Sequence, residues 1–276
     1  MIYIFCALYP EAQPFINRFH LKKDVSNHRF DEFYKEEVGM RLIVTGVGGI
    51  AAAVAVGSIC TRYSVGKGDF LVNIGTCARA SAVGELFLCN QIQDGISGRN
   101  FYPDILYRHS LKEMGVVTEA VQREDGLQEA DFLYDMEAAA IYQAGAYFLG
   151  PHQMSFLKVV SDAGYGAAVS REQIVTRMEN QMEAIVEYFG LLQEIGNRQQ
   201  GRRDFPGGEL WMDRLCRDLC CSCTMRASVV QFFRYLFLQG IDCKKKVEEL
   251  YDGGRLPCKN RREGKKRFEE LKSELL

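Results

Sequence analysis

Apolar positions in the first two-thirds of the chain fall into short, mostly continuous runs, separated by stretches with a helical period. Ile2–Leu8 is unbroken, while Phe70–Ile74, Leu86–Ile92 and Phe156–Val160 are runs interrupted only by Asn73, by Asn90 and Gln91, and by Lys158; each reads as a buried strand. Glu32–Val38 and Arg41–Thr45 alternate more and read as a hairpin turning near Gly39. The small-residue segments Ile50–Tyr63 and Met136–Leu149, and the amphipathic Ser170–Ile195, read as helices. Asp94–Ser110 reads as a long loop, and Val116–Thr118 is too short to assign alone. Strands alternating with helices predict an α/β domain over residues 1–196. The expected form is a three-layer αβα arrangement around a central, mostly parallel twisted sheet.

The pattern changes at Gly196–Gly208 (GNRQQGRRDFPGG), a polar stretch with Gly and Pro that reads as a domain boundary. Beyond it Glu209–Gln239, Lys244–Tyr251 and Asn260–Leu276 have helical periods, so residues 209–276 are expected to form a small all-α appendage. Charge divides at the same place. Residues 201–276 hold 17 Lys+Arg against 12 Asp+Glu, although the whole chain carries a net charge of −2. A basic, Cys-rich helical unit thus follows an acidic α/β domain.

Composition otherwise changes little: 47% hydrophobic and 25% charged residues are ordinary for a globular protein. The first residues, Met1-Ile2-Tyr3-Ile4-Phe5-Cys6, have no basic flank ahead of the apolar run, and Gly46–Cys60 falls short of a membrane span. A cytoplasmic protein without a membrane association is expected, its ten cysteines reduced.

Candidate chemistry collects at the ends of the strands. Gly46-Val47-Gly48-Gly49-Ile50-Ala51 fits the dinucleotide fingerprint, but an acidic residue is wanted at the end of the next strand, where Asn73 stands. A tight strand-to-helix turn, or a backbone lying beside a ligand, fits these glycines equally. Asp135-Met136-Glu137 opens a helix. Asp135 can cap it and Glu137 can favour its positive end, or Glu137 can serve a ligand. Val160-Ser161-Asp162 runs from a strand into a turn, where open α/β folds place ligand groups or a helix cap. Glu11 follows the first strand, and Thr76 and Cys77 follow the strand ending at Gly75.

At these positions the chain resembles the purine nucleoside phosphorylase and nucleosidase superfamily, closest to the methylthioadenosine/S-adenosylhomocysteine nucleosidases. The matching pieces are Ala7–Glu11, Gly46–Ala53, Asn73–Ala78, Asp135–Ala140 and Val160–Asp162, in the family's order and over roughly residues 1–195. The resemblance implies a nucleosidase that hydrolyses the N-glycosidic bond of a purine nucleoside or 5′-thio nucleoside, without a cofactor or metal. Asp162 would be the general acid protonating the purine, and Glu11 would orient or deprotonate the attacking water. Glu137, with Met136 beside it, would hold the ribose hydroxyls, and Thr76 would lie near the reacting sugar carbon. Gly48, Cys77, Ser161 and Lys158 complete the implied substrate-binding set. A homodimer or higher homo-oligomer is implied as well. The chemistry agrees, because a departing purine needs a proton and an oxocarbenium-like sugar is stabilised by nearby carboxylates.

The chain departs from the family in three respects. Lys158 stands where the nucleosidases carry Arg, keeping the charge but losing the planar fork. The segment between Ile92 and Tyr134 is shorter than the family's, leaving Val121 and Phe132 as candidates to contact the base. Asn73 stands two residues before Gly75, where phosphorylases resemble an Arg-x-Gly pattern. Phosphorolysis is therefore the second enzymatic reading, kept open by Arg79 and Arg99. A nucleoside-binding sensor without turnover is the reading from another class. The loop Gly98–Asp104, with Arg99, Phe101, Tyr102 and Asp104, reads as a surface loop or as a cover for the sugar or base. In the appendage Cys216, Cys220, Cys221 and Cys223 lack the paired spacing of a zinc ribbon, and Leu215, Cys216, Leu219, Cys220 and Cys223 fall on a helical period. Acidic residues interrupt the basic stretches there, which suits docking of a protein partner better than nucleic acid.

Overall fold

The computed structural model describes residues 1–66, 68–122, 132–164, 169–201, 208–241 and 243–275. It divides into two compact units, Met1–Gln199 and Gln200–Leu276.

In the first unit, β1 (Ile2–Cys6) leads into α1 (Tyr9–Phe19), and β2 (Lys22–Lys23), β3 (Asp31–Lys35) and β4 (Met40–Val44) follow. Helix α2 (Gly49–Arg62) precedes β5 (Phe70–Ala78), β6 (Leu86–Asp94), β7 (Asn100–Phe101), β8 (Lys112–Thr118) and β9 (Phe132–Asp135). Helix α3 (Ala138–Gly145), β10 (Met154–Asp162), α4 (Arg171–Asn180) and α5 (Met182–Gly201) follow, and the boundary between the units falls in the last turn of α5. The sheet runs β10-β6-β8-β9-β5-β1-β4-β3-β2, and β10 pairs with β5 as well, so β5, β10, β6, β8 and β9 join edge to edge in a ring.

The expected, mostly parallel sheet is instead mixed. Strands β1, β4, β5 and β10 run parallel, as do β6, β8 and β9, but β10 meets β6 and β9 meets β5 antiparallel. The hairpin β3–β4 adds an antiparallel edge, turning through Gly39 at φ 64°. Near-continuous apolar runs show that a strand is covered on both faces, but they carry no sign of its direction.

Helices cover both faces. Ala12 and Phe15 of α1, Ile174 and Met178 of α4, and Ile185 and Phe189 of α5 pack on one side against Ile4, Val72 and Leu157. Ala52, Val56 and Ile59 of α2, with Ala138 and Ile141 of α3, pack on the other against Phe5, Leu71 and Phe156. Where one long helix over Ser170–Ile195 was expected, two occur, broken at Gln181 (φ −100°, ψ 0°). Ser170 caps the first by accepting from the Gln173 amide at 3.2 Å. The expected helix from Met136 starts only at Ala138, which leaves Met136 and Glu137 outside it.

In the second unit the described elements are α6 (Gly208–Asp218), α7 (Cys223–Leu238), α8 (Lys244–Asp252) and α9 (Arg261–Leu275). The expected helix over Glu209–Gln239 is divided between α6 and α7, with Cys220 at φ 51° and Ser222 capping α7. This unit has its own core, in which Leu215, Cys216, Leu219, Phe233, Val247 and Phe268 are buried together. Among the described residues no group of three or more His, Cys, Asp or Glu is placed to hold a metal ion. No described helix is long and apolar enough to cross a membrane.

Candidate active site

A cavity of about 320 Å³ opens at the carboxyl ends of β1, β5, β8, β9 and β10. Glu11, Thr76, Cys77, Met136, Glu137, Ser161 and Asp162 line it together. Gly48 and Lys158, which the family resemblance adds to the substrate-binding set, do not line it.

Glu11 stands in the first turn of α1 and is 2% exposed. Its Oε1 accepts from the Thr76 amide and the Thr76 hydroxyl, both at 2.7 Å, and its Oε2 accepts from the Leu8 amide at 2.9 Å. Gly75 makes this docking possible, because a Cβ there would lie 3.1 Å from Glu11 Oε1. The carboxylate is thus fixed by three donors, and Oε2 retains a lone pair for a water or a substrate hydroxyl.

Asp135 and Glu137 divide two tasks that sequence leaves undivided. Asp135 caps α3: its Oδ2 accepts from the Ala138 amide at 2.8 Å and the Glu137 amide at 3.3 Å, and its Oδ1 from the Thr118 hydroxyl at 2.6 Å. Glu137 is left for the cavity, where its Oε1 accepts from the Gly48 amide at 2.8 Å. The turn before α2 therefore has a use for its glycines. Gly46 and Gly48 have φ of 85° and 98°, and a Cβ on Gly49 would meet Ala140 Cβ at 3.1 Å. Burial pushes the Glu137 carboxyl above its usual range, with Asp135 and Glu11 adding to the rise and Lys158 and the Gly48 amide opposing it.

Lys158 is 1% exposed, and its Nζ lies 2.7 Å from Asp135 Oδ2. Burial alone would lower its pKa, but Asp135 and Glu137 hold it well above the usual lysine range, so it stays charged. The position assigned to substrate contact is instead held in a buried ion pair, on β10 opposite Gly75 of β5, and does not line the cavity.

Asp162 ends β10. Its Oδ1 accepts from the Gly164 amide at 2.8 Å, and its Oδ2 lies 2.6 Å from Ser161 Oγ. The Ser161 hydroxyl is also 3.1 Å from the Cys77 carbonyl, so its single proton serves one acceptor at a time. A hydroxyl that can switch partners in this way adjusts to either protonation state of Asp162. The Cys77 thiol is pushed well up by burial and stays neutral.

Leu8, Val47, Val169 and Ile174 give the cavity apolar walls, and Glu119, Val121, Gln122 and Tyr134 line it too. Of the two candidates for base contact, Val121 lines the cavity, whereas Phe132 does not and packs close over Gly115. Thr118, Glu119 and Tyr134 escape a reading of the sequence, because β8 and β9 leave too short an apolar signal to assign. The Gly98–Asp104 loop does not line the cavity. Arg99 lies over Phe101, which stacks on Tyr142 at 5.1 Å. Arg79 lies over Phe87.

With this geometry established, the chain can be set beside solved enzymes. It is similar to the 5′-methylthioadenosine/S-adenosylhomocysteine nucleosidase of Helicobacter pylori, solved with butyl-thio-DADMe-Immucillin-A. The TM-score is 0.56 at 11% identity, covering 67% of this chain and 96% of that one. The corresponding nucleosidase of Streptococcus pneumoniae, solved with a transition-state inhibitor, gives 0.55 at 16% identity over 70% and 98% of the two chains. The 5′-methylthioadenosine nucleosidase of Arabidopsis thaliana, in apo form, gives 0.53 at 17% identity over 69% and 95%. The chain carries the fold of these nucleosidases. No protein-family model and no curated protein matches it. About two-thirds of this chain therefore accounts for nearly the whole of each nucleosidase, and the remainder is additional to their fold.

Proposed function

We propose that the first unit is a nucleosidase hydrolysing the N-glycosidic bond of a purine nucleoside or 5′-thio nucleoside, of the methylthioadenosine/S-adenosylhomocysteine type. The observation that carries this reading is the convergence of Glu11, Glu137 and Asp162 on one cavity, each carboxylate held by different donors. Asp162 protonates the purine as it leaves, since an unprotonated purine anion departs poorly. Glu137 accepts hydrogen bonds from the ribose hydroxyls, with Met136 beside it. Glu11, fixed by Leu8 and Thr76, aligns the attacking water and takes its proton. The sugar becomes cationic as the bond breaks, and the buried carboxylates of Glu11 and Glu137 stabilise that charge more strongly than solvated ones would.

Hydrolysis is preferred to phosphorolysis on charge. A bound phosphate needs cationic or multiple amide donors, and no Lys or Arg is among the described residues lining the cavity. The apolar walls formed by Leu8, Val47, Val169 and Ile174 suit a substituted 5′ carbon better than a charged one. The test is a panel of purine nucleosides and 5′-thio nucleosides, incubated with and without phosphate. Free base should appear in phosphate-free buffer. Strict dependence on phosphate would replace this reading with the phosphorylase.

A further inference from the structure

Lys158 lies beneath the cavity, 1% exposed and so shut off from bulk solvent. An isolated ammonium in such a place is costly, so its neighbours explain its presence. Its Nζ is 2.7 Å from Asp135 Oδ2, the same oxygen that accepts from the amides of Glu137 and Ala138. The other oxygen of Asp135 accepts from Thr118, whose Oγ1 in turn accepts from the Ala139 amide at 2.9 Å. The start of α3, and with it the backbone of Glu137, therefore hangs on Asp135, and Asp135 is held by Lys158.

We propose that Lys158 is a positioning residue for Glu137, acting through Asp135 and never touching substrate. It neutralises the cap that fixes the Glu137 backbone, so that the Glu137 carboxylate is aimed between the Gly48 amide and the cavity. The charge balance gives this arrangement a second effect. Glu137 feels Lys158 on β10, Asp135 on β9, Glu11 on α1 and the Gly48 amide before α2. Three carboxylates thus share one buried ammonium, leaving an excess of two negative charges when all are ionised. A cationic sugar would offset that excess as it forms. Without Lys158 the excess would be three, and the Glu137 carboxyl would lose the cation that opposes its rise. The use made of Glu137 rests on the nucleosidase reading; the placing of Lys158 does not.

The pair predicts opposite effects from its two halves. Lys158→Met removes the cation, so the Glu137 carboxyl must titrate higher, by about one pH unit or more for loss of a close opposite charge. Asp135→Asn removes an anion and leaves Lys158 facing Glu137, so the titration must move lower. A role confined to packing, with neither charge felt at Glu137, would give both variants the same sign, or none. The experiment is a 13C NMR titration of full-length protein labelled at the glutamate carboxyl carbons, with Glu137→Gln assigning the resonance. A rise in K158M and a fall in D135N are expected. Should K158M not fold, because its Asp135 is left buried and unpaired, the D135N titration decides alone. An unchanged midpoint in folded D135N, or movement of both variants in one direction, would overturn the proposal. The titration needs no substrate. If the parent protein cleaves no nucleoside, the nucleosidase reading fails while the placing of Lys158 is still decided. Where it does cleave, the acidic limb of kcat/KM against pH should follow the Glu137 midpoint upward in K158M.

Discussion

Replacing Thr76 by valine changes little in shape and removes one donor from Glu11. The parent carboxylate receives two hydrogen bonds on Oε1, from the Thr76 amide and hydroxyl, and one on Oε2 from Leu8. The valine keeps the amide bond and sets a methyl group against Oε1 of Glu11, a residue only 2% exposed. A hydrogen bond to a charged group contributes about 1.5–3 kcal/mol, and the valine methyl group offers the carboxylate no donor in its place. At about 2–4 °C per kcal/mol for a unit of this size, the thermal transition of the first unit should fall by about 3–12 °C. Glu11 would also turn more freely about its remaining bonds. If it aligns the nucleophilic water, kcat should fall by about tenfold or more, while KM, set by Glu137 and the base, changes little. Differential scanning calorimetry and steady-state kinetics on T76V, beside T76S, read both effects. Thr76→Ser keeps the hydroxyl and should restore most of each. If T76V matched the parent, or T76S were damaged equally, the Thr76 hydroxyl would not be what holds Glu11.

Asp162→Asn keeps the bond from Gly164 and removes the acid, so turnover should drop by about 10²-fold or more while nucleoside binding, measured by calorimetry, persists. Glu137→Gln should weaken binding of ribose nucleosides and also alter the pH dependence of stability. Folding raises the Glu137 carboxyl above its ordinary 4.5, so the ionised form costs folding free energy at neutral pH, and that cost vanishes as pH falls below 4.5. Against the parent, E137Q should therefore gain stability near pH 7 and lose the advantage near pH 4; a constant difference in urea midpoints would contradict this. A chain ending at Gln199 should fold alone and retain nucleoside binding, because each unit buries its own core. An insoluble product would mean that the helical unit covers part of the first.

Hydrophobic pattern revealed the strands covered on both faces and the turn glycines, because burial and positive φ leave marks in composition. Direction left none, and the antiparallel contacts of β6 with β10 and β9 with β5 were not legible. Strand β9 escaped because Phe132–Asp135 is four residues long and runs directly into Met136 and Glu137. The break at Gln181 carries no Gly or Pro, and the apolar period continues across it in Ile174, Met178, Met182 and Ile185. At Ser222 a capping residue was present in the sequence, hidden by cysteines that kept the helical period. Of the carboxylates that line the cavity, Glu11, Glu137 and Asp162 were each ambiguous when read alone, because a helix end suits Glu137 and Asp162 as well as a ligand does, and only their order in the family resemblance set them together. Lys158 was legible as a cation but not as a buried one. A lysine flanked by Phe156, Leu157, Val159 and Val160 does suggest an internal partner, and Asp135 was available once its capping role was recognised.

The proposed chemistry requires that water, held by Glu11 and driven by protonation at Asp162, attack the anomeric carbon of a purine nucleoside. Incubating the full chain with 5′-methylthioadenosine in phosphate-free buffer made with ¹⁸O water, and analysing the products by mass spectrometry, reads that step itself. Free adenine and a 5′-methylthioribose carrying one ¹⁸O at C1 are expected from the first turnover, with D162N forming both at least about 10²-fold more slowly. Adenine release only on adding phosphate, with methylthioribose 1-phosphate as the product, would contradict the mechanism, and so would an equal rate in D162N.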